Sequence, residues 1–211
     1  MPYKPAREIK PKAKGYRGKE PFLTTGEYIH WESFLERNYI RLADFDQTVQ
    51  EIYYQPICIY YWLNGKKYRY YPDFKVVFED NRVCLIEVKP ERFIKSERNV
   101  IKYAAAQQYC KEMGWSFEIF TERQINPNLL QWNLSLLRHL GTQEVSEEEE
   151  DCIFNVMEKK QELHLFELRE HCESMTEEAF YSTVYRLIYL QELQTDLVNI
   201  KLSDDSLLRL N

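Results

Sequence analysis

The stretch YYPDFKVVFEDNRVCLIEVKP, at positions 70–90, constrains the fold more than any other part of the chain. Two runs rich in Val, Ile, Phe and Tyr flank the segment EDNR, so the stretch predicts an antiparallel hairpin with a turn at EDNR. Asp73, Glu87 and Lys89 stand within or beside these apolar runs. A solvated strand face would explain such charges, and so would a metal site on a core-facing surface.

The length of the turn decides whether the two acids meet. With an odd loop such as 79–81, Phe78 pairs with Arg82, and Asp73 then lies opposite Glu87. A two-residue loop would place the two acids on opposite faces. Glu87 and Lys89 share a face in either case, because side chains alternate along a strand with a period of two.

Two facing carboxylates on a core surface point to metal-assisted chemistry. Their mutual repulsion is costly unless a hard divalent cation lies between them, and Mg²⁺ or Mn²⁺ takes oxygen ligands. Such an ion supports phosphodiester hydrolysis, and a nearby lysine can orient the water or stabilise developing charge. Asp73, Glu87 and Lys89 therefore predict a metal-dependent phosphodiesterase site.

The rest of the chain up to Gly141 alternates helices and strands. Apolar residues between Glu27 and Ala43 predict an amphipathic helix, with Glu36 beside its apolar face. The segment 49–88 predicts three or four antiparallel strands, including a hairpin at Asn64-Gly65. A helix ending at Gly114, the strand SFEIF and one or two helices ending at Gly141 follow. This order indicates an α/β fold.

Charge divides the chain into parts. The net charge is −6, but residues 145–211 hold 6 Lys and Arg against 16 Asp and Glu, which leaves +4 for residues 1–144. We predict a basic N-terminal arm over 1–23, which would bind phosphate or act as a solubilising tail. A catalytic domain is predicted over 24–144, and an acidic C-terminal domain over 145–211.

The C-terminal domain reads as three short helices followed by a small hairpin, the order of a winged helix. Its net charge of −10 opposes DNA binding and favours docking to a protein. Phe180, Tyr181 and Tyr185 are either anchors of that interface or core residues of the third helix.

Composition indicates a cytoplasmic protein. The five cysteines are widely spaced and lack a zinc-binding pattern, which fits a reducing compartment. No apolar run approaches the roughly 20 residues of a membrane span, and the first residues are polar and basic.

Several motifs together resemble a known nuclease family. Pro72-Asp73 precedes Glu87-Val88-Lys89 in the pattern of the PD-(D/E)xK restriction-endonuclease-like superfamily. Within it, the chain is most similar to TnsA, the endonuclease subunit of heteromeric transposases. The motifs that carry this likeness are Ser33-Phe34-Leu35-Glu36, Asp73-Phe74, Val88-Lys89-Pro90, Trp115, Phe120-Thr121-Glu122 and Ile125-Asn126-Pro127.

The resemblance implies a fold and a set of site residues. The fold would be a restriction-endonuclease-like core, a mixed sheet flanked by helices, with a small winged-helix-like C-terminal domain. Glu36, Asp73 and Glu87 would be catalytic metal ligands for Mg²⁺ or Mn²⁺, with the backbone carbonyl of Val88, and Lys89 would be the catalytic lysine. The founding member of the family has Gln at the position of Glu87, so this site is closer to the general nuclease pattern.

The resemblance also implies partners. The protein would cut the 5′ strands of double-stranded DNA at transposon ends, while the DDE transposase TnsB cuts the other strands. The ATPase regulator TnsC would bind the C-terminal domain. Two alternatives stay open: a non-catalytic adaptor that keeps the nuclease fold, and a standalone nuclease of restriction or repair type.

Overall fold

The computed structural model describes residues 3–7 and 16–211, and the chain forms two compact units, Met1–Ile125 and Asn126–Asn211. The described part of the first unit contains eight strands and three α-helices. The strands are β1 (Gly18–Phe22), β2 (Glu27–Trp31), β3 (Val49–Tyr54), β4 (Ile59–Leu63), β5 (Lys66–Tyr70), β6 (Phe74–Phe78), β7 (Val83–Val88) and β8 (Ser116–Phe120). The helices are α1 (Phe34–Phe45), α2 (Glu97–Met113) and α3 (Glu122–Ile125), and a 3-10 turn spans Glu91–Phe93.

A four-stranded sheet in the order β3-β6-β7-β8 forms the centre of this unit. Strands β3, β6 and β7 pair antiparallel, and β8 joins β7 in parallel. The parallel pair requires a crossover, which α2 provides between the two strands. A mixed sheet with helices is the arrangement expected of a nuclease-like core.

The central strand β7 is buried on both faces, which explains why its sequence is almost continuously apolar. Cys84, Ile86 and Val88 belong to the core on the side of α1, β1 and β2. Leu85 belongs to the second core, with Ala106 of α2 and residues of β4 and β5. Glu87 alternates with Ile86 and Val88, so its side chain lies on the face that packs against α2.

The hairpin of β6 and β7 has the predicted odd loop. Val77 pairs with Val83, and the N–H of Phe78 donates to the carbonyl of Arg82 at 3.0 Å. The loop therefore consists of residues 79–81. Its last residue, Asn81, has φ 65°, the left-handed conformation typical of a three-residue hairpin loop. The predicted register is confirmed.

The turn at Asn64-Gly65 is also confirmed. Leu63 pairs with Lys66, and the two turn residues have φ 51° and 72°, as a type I′ turn requires. The segment 49–88 contains five strands rather than three or four, because β4 and β5 form a separate two-stranded sheet.

The helix predicted from Glu27 begins only at Phe34. Residues Glu27–Trp31 form β2, which pairs with β1 and buries Ile29 and Trp31 while Tyr28 stays exposed. That alternation is the period of a strand, and the sequence-based helix was extended too far because apolar residues continue across the junction. Ser33 separates the two elements as the N-cap of α1.

The later elements of the first unit end where the sequence predicts. Helix α2 ends before Gly114, whose φ of 70° places it in the left-handed region that glycine tolerates. Tyr103, Ala106 and Cys110 of α2 face the core. The segment SFEIF forms β8 as predicted.

The second unit follows the order helix, helix, strand, helix, helix, strand, strand. Its elements are α4 (Leu130–Leu140), α5 (Glu147–Lys160), β9 (Glu162–His164), α6 (Leu165–His171), α7 (Glu177–Tyr189), β10 (Leu193–Gln194) and β11 (Leu207–Leu210). The three strands form one antiparallel sheet in the order β10-β11-β9. Phe180 and Tyr185 are buried in this unit, so they act as core residues, and Tyr181 is partly exposed.

The compact units divide at 125/126 rather than at the predicted 144/145. Helix α4 packs against α7, and Asn133 of α4 is fully buried. The Asn133 amide donates to the carbonyls of Leu197 and Ile200 at 2.7 and 2.8 Å and accepts from the N–H of Leu202 at 2.9 Å. These bonds make α4 part of the acidic unit.

The predicted arm over 1–23 differs from the structure at both described ends. Gly18–Phe22 is the paired strand β1, and Phe22 is fully buried. Near the start, Tyr3 donates its hydroxyl to the carbonyl of Tyr54 at 2.6 Å. The remainder of the predicted arm, residues 1–2 and 8–15, lies outside the described residues. Over the described ranges, no helix combines the length and apolar character that a membrane span needs.

Candidate functional site

Asp73 and Glu87 face each other where strands β6 and β7 leave the hairpin. Phe74 pairs with Ile86, so continuing the same register by one residue sets Asp73 opposite Glu87. The N–H of Val88 donates to Asp73 Oδ2 at 2.8 Å, which fixes the Asp73 carboxylate beside β7. The predicted meeting of the two acids therefore occurs.

Glu87 is the most buried acid of the site, with 1% of its surface exposed. Three side chains compensate its charge. Lys102 Nζ lies 2.5 Å from Glu87 Oε1, and Lys89 Nζ lies 3.3 Å from the same oxygen. The hydroxyl of Tyr70 donates to Glu87 Oε2 at 2.7 Å. Burying this carboxylate is tolerable because every partner is a cation or a hydrogen-bond donor.

Asp73 is held in an environment that disfavours its charge. Burial raises its pKa well above the ordinary range, and the negative charges of Glu87 and Glu36 raise it further. Lys89 and the Val88 N–H lower the pKa, but by less. Burial and the two neighbouring acids therefore outweigh the groups that stabilise the charged form of Asp73.

Lys89 and Tyr70 respond to the same two carboxylates. Burial alone would lower the pKa of Lys89, but the charges of Glu87 and Asp73 outweigh it and the pKa is raised. Lys89 is thus a stable cation at neutral pH. Burial raises the pKa of Tyr70 well above its usual value, and the Glu87 charge adds to that effect. Tyr70 therefore stays protonated and keeps donating to Glu87.

Glu36 lies near Asp73 and Glu87, but its carboxylate already accepts two hydrogen bonds at the start of α1. One of its oxygens accepts the N–H of Glu32 at 2.7 Å and the other accepts the Ser33 hydroxyl at 2.9 Å. Burial raises the pKa of Glu36. Glu32, an acid one turn before Glu36, is ion-paired with Arg7 and Arg17.

Cations surround the two acids. Asp73, Glu87 and Lys89 line an open pocket of about 310 Å³. Its other lining residues are Arg7, Tyr61, Arg69, Tyr70, Tyr71, Arg98, Asn99 and Lys102. A pocket with five Lys or Arg side chains around two carboxylates suits a phosphate-containing ligand bound next to acidic residues.

The donor set fits a hard divalent cation. Within residues 3–7 and 16–211, no three acidic, His or Cys side chains form a ligand cluster by themselves. A pair of carboxylates with a backbone carbonyl is nevertheless a common donor set for Mg²⁺, which keeps several waters and binds through one or two carboxylates. The raised pKa of Asp73 points the same way, because a bound cation would stabilise its charged form.

Sequence reasoning missed Lys102 and Tyr70. Lys102 lies in a helix of ordinary helix-forming residues, where a lysine is expected on the solvent side, and no motif distinguishes it. Tyr70 is one of 16 tyrosines. Its position three residues before Asp73, in an inward-facing strand position, was the only available signal.

Comparison with known protein families gives a match over the segment that contains the two acids. Residues 46–122 match the family model of the TnsA-like endonuclease N-terminal domain. The segment is similar to the N-terminal domain of TnsA-like endonucleases. It includes Asp73, Glu87 and Lys89, together with the missed Tyr70 and Lys102, while Glu36 precedes it. The resemblance to TnsA-type endonucleases is therefore confirmed over the central sheet and α2. No curated protein matches the chain.

The TnsA-like domain coincides with the elements that form the pocket. It begins just after α1 and ends just after β8, so it contains β3 to β8 and the crossover helix α2. Both carboxylates, the catalytic-lysine candidate and four of the five pocket cations are within it. The family match and the side-chain geometry thus point to one place in the first unit.

Proposed function

We propose that the protein is the metal-dependent DNA endonuclease subunit of a TnsA/TnsB-type transposase, which cuts the 5′ strands at transposon ends. One observation carries the proposal: Asp73 and Glu87 face each other beside Lys89, in a cation-lined pocket, within a TnsA-like endonuclease domain. The two acids alone would suit many metal sites. The cations and the family match favour DNA.

Asp73, Glu87 and the carbonyl of Val88 would hold Mg²⁺ or Mn²⁺, with Glu36 as a further ligand. The bound ion would activate water and neutralise charge on the reacting phosphate. Lys89 is a cation at the mouth of the pocket and would hold the attacking water or a phosphate oxygen. Tyr70 and Lys102 position Glu87 by occupying both of its oxygens.

The pocket cations would bind the DNA backbone. Arg69 and Arg98 are exposed, and both line the pocket beside the acids. The first unit as a whole has 21 Lys and Arg against 17 Asp and Glu, a net charge of +4. This part of the chain is therefore suited to a polyanion even though the whole protein is acidic.

The second unit would bind the ATPase regulator TnsC. It has 7 Lys and Arg against 17 Asp and Glu, a net charge of −10, which disfavours DNA. From α5 onward its order is helix, strand, two helices and two strands, which supports a winged-helix-like domain used for protein binding. TnsB would cut the complementary strands.

The proposal is tested by end cleavage with the partner subunits present. Asp73→Ala and Lys89→Ala should abolish 5′-strand cutting, because one removes a ligand and the other removes the cation beside it. Asp80→Ala is the matched control, since Asp80 is an exposed acid at the opposite end of the same hairpin. Cutting that survives both Asp73→Ala and Lys89→Ala would disprove the proposal.

Calorimetry with Mn²⁺ separates the nuclease from a non-catalytic adaptor. The nuclease predicts binding by the wild type and weaker binding by Asp73→Ala. Absence of binding, or equal binding by both proteins, would favour the adaptor. A standalone nuclease would instead cut DNA in the presence of metal without partner subunits.

A further inference from the structure

The hairpin of β4 and β5 exposes an aromatic and basic surface. Tyr60 is paired with Arg69, and Trp62 is paired with Lys67. Because side chains alternate along each strand, these four residues share one face. Tyr60 is 56% exposed and Trp62 is 64% exposed, and both cations are exposed as well. We call these four residues the outer face of the hairpin.

The opposite face of the same hairpin already supplies its contacts with the hydrophobic core, so the outer face is not needed for packing. Ile59, Tyr61 and Tyr70 point inward and pack with Leu85 of β7 and Ala106 of α2. The hairpin is therefore fixed to the first unit by its inner residues. The two exposed aromatic rings on the outer face add little to the free energy of folding, because apolar surface contributes to it only when it is removed from water.

The charge of the hairpin indicates the chemistry of its partner. Between Glu51 and Asp73 the sequence contains no acid, but it contains Lys66, Lys67 and Arg69. Lys67 Nζ lies 4.1 Å from the centre of the Tyr60 ring, so cation and aromatic ring are presented together. Alternating aromatic and basic side chains bind nucleic-acid strands, because rings stack on bases and cations bind phosphates.

The outer face continues into the candidate active site. Arg69 belongs to the outer face and also lines the pocket that contains Asp73 and Glu87. Tyr71, two residues further along the chain, lines the same pocket. A strand bound at the pocket would therefore run onto the hairpin without leaving a basic surface.

We propose that the outer face binds the DNA strand next to the phosphodiester that is cut. Lys67 and Arg69 contact phosphates, and Trp62 stacks on a base that has left the duplex. The flat, exposed ring of Trp62 suits an unpaired base, because the faces of paired bases are covered by their neighbours. This inference rests on the proposed endonuclease function and adds to it a site for locally opened DNA.

Binding is measured with the full-length protein in an Asp73→Asn background, so that the DNA is not cut. Two DNA probes of equal length are compared by fluorescence anisotropy, one fully paired and one with three unpaired nucleotides at one end. Trp62→Ala should weaken binding to the partly unpaired probe about tenfold, as expected for one lost stacking contact. Trp62→Phe should retain most of the affinity, because a ring remains.

Matched controls test whether the position matters. Tyr28→Ala removes an equally exposed aromatic residue from β2 and should leave both affinities unchanged. Lys67→Ala should lower the slope of log affinity against log salt by about 0.9 for the paired probe, as expected for one lost phosphate contact. Lys111→Ala removes an exposed lysine from α2 and should leave that slope unchanged.

Several outcomes would overturn the inference. Equal affinities of Trp62→Ala and wild type for the partly unpaired probe would show that Trp62 makes no stacking contact with the DNA. Unchanged DNA binding together with weakened association of the transposase partner would assign the outer face to a protein. These results do not depend on cleavage. If Asp73→Asn still cuts DNA, the endonuclease proposal fails instead, whatever the hairpin variants bind.

Discussion

Asp73 lies where its ionised form is disfavoured. We expect this to lower the free energy of unfolding of the wild type. Asp73→Asn keeps an oxygen for the Val88 N–H but removes the negative charge. Without divalent metal at neutral pH, the variant should be more stable than wild type by about 1 kcal/mol or more, because the amide has no ionised form for burial and repulsion to disfavour. Urea unfolding gives the free energy.

Metal should reverse that order. If Mg²⁺ binds the folded wild type as proposed, it should raise the melting temperature in a concentration-dependent way, and this rise should be absent from Asp73→Asn. Asp80→Asn, an exposed acid in the hairpin loop, is the control and should respond to Mg²⁺ as wild type does. An equal response of Asp73→Asn would show that Mg²⁺ binds elsewhere.

Lys102 is a site residue that only the structure reveals, through its ion pair with Glu87. Its ammonium is the nearest cation to the buried Glu87 carboxylate, and its side chain is 13% exposed. Lys102→Met keeps the length of the stem but leaves that carboxylate with Lys89 and Tyr70 alone. We expect a loss of about 2–4 kcal/mol in unfolding free energy, because removing one partner of a buried ion pair leaves the other charge buried with less compensation.

A double-mutant cycle distinguishes pairing from packing at Lys102. Adding Glu87→Gln to Lys102→Met should recover more than half of the loss, because the stranded charge is gone. Lys111→Met, an exposed lysine in the same helix, should change stability by less than about 0.5 kcal/mol. Additive effects of the two changes at the site would contradict the pairing.

At the level of elements, the loop of the β6–β7 hairpin is what brings the two acids together. Asn81 occupies its left-handed position, which glycine tolerates best and β-branched residues tolerate worst. Asn81→Gly should leave stability within a few tenths of a kcal/mol, while Asn81→Val should cost about 1–2 kcal/mol. Thermal unfolding measures both. Equal stability of the two variants would mean that the loop adopts another conformation.

The start of α1 separates two roles of Glu36. Ser33, the N-cap of α1, accepts the N–H of Glu36, and the Glu36 carboxylate accepts the N–H of Glu32 and the Ser33 hydroxyl. Ser33→Ala should therefore cost about 1 kcal/mol, and Ser33→Thr should cost much less. Glu36→Gln removes the charge, keeps one acceptor oxygen for the Glu32 N–H and leaves the bond from the backbone N–H of residue 36 to Ser33 in place.

Metal binding by Glu36→Gln then reports on the ligand role alone. If Glu36 is a metal ligand as well as a cap, this variant should keep the stability of wild type and lose affinity for Mn²⁺ in calorimetry. Unchanged affinity would leave Glu36 with its structural role only.

At the scale of the whole molecule, the division into units makes a prediction about fragments. A fragment of residues 126–211 should unfold cooperatively by circular dichroism, because it contains α4 and the core that α4 shares with α7. A fragment of residues 145–211 should be much less stable, since it lacks Asn133 and the three hydrogen bonds that Asn133 makes to residues 197–202. Equal stability of the fragments would restore the boundary at 144/145.

Much of the nuclease unit could be predicted from the sequence because its strongest signals are local. Asn64-Gly65 predicts a tight hairpin, and Gly114 predicts the end of α2, from backbone conformations that few residues adopt. The strand β2 was missed, although Ile29 and Trp31 alternate with polar neighbours, because a helix with similar composition follows directly. The limit between the units could not be predicted because α4 joins the second unit through packing against α7 and through bonds of Asn133 to residues more than 60 positions away.

The sequence by itself determined which residues of the β6–β7 hairpin share a face for a given loop length. An odd loop and a period of two place Asp73 opposite Glu87 and Lys89 beside it, because these relations follow from backbone geometry within one hairpin. Only the tertiary structure decided what surrounds them. Lys102 reaches Glu87 because α2 packs across the sheet, and Tyr70 reaches it because a second hairpin packs on the same face. Such contacts depend on packing between elements, which no local pattern specifies.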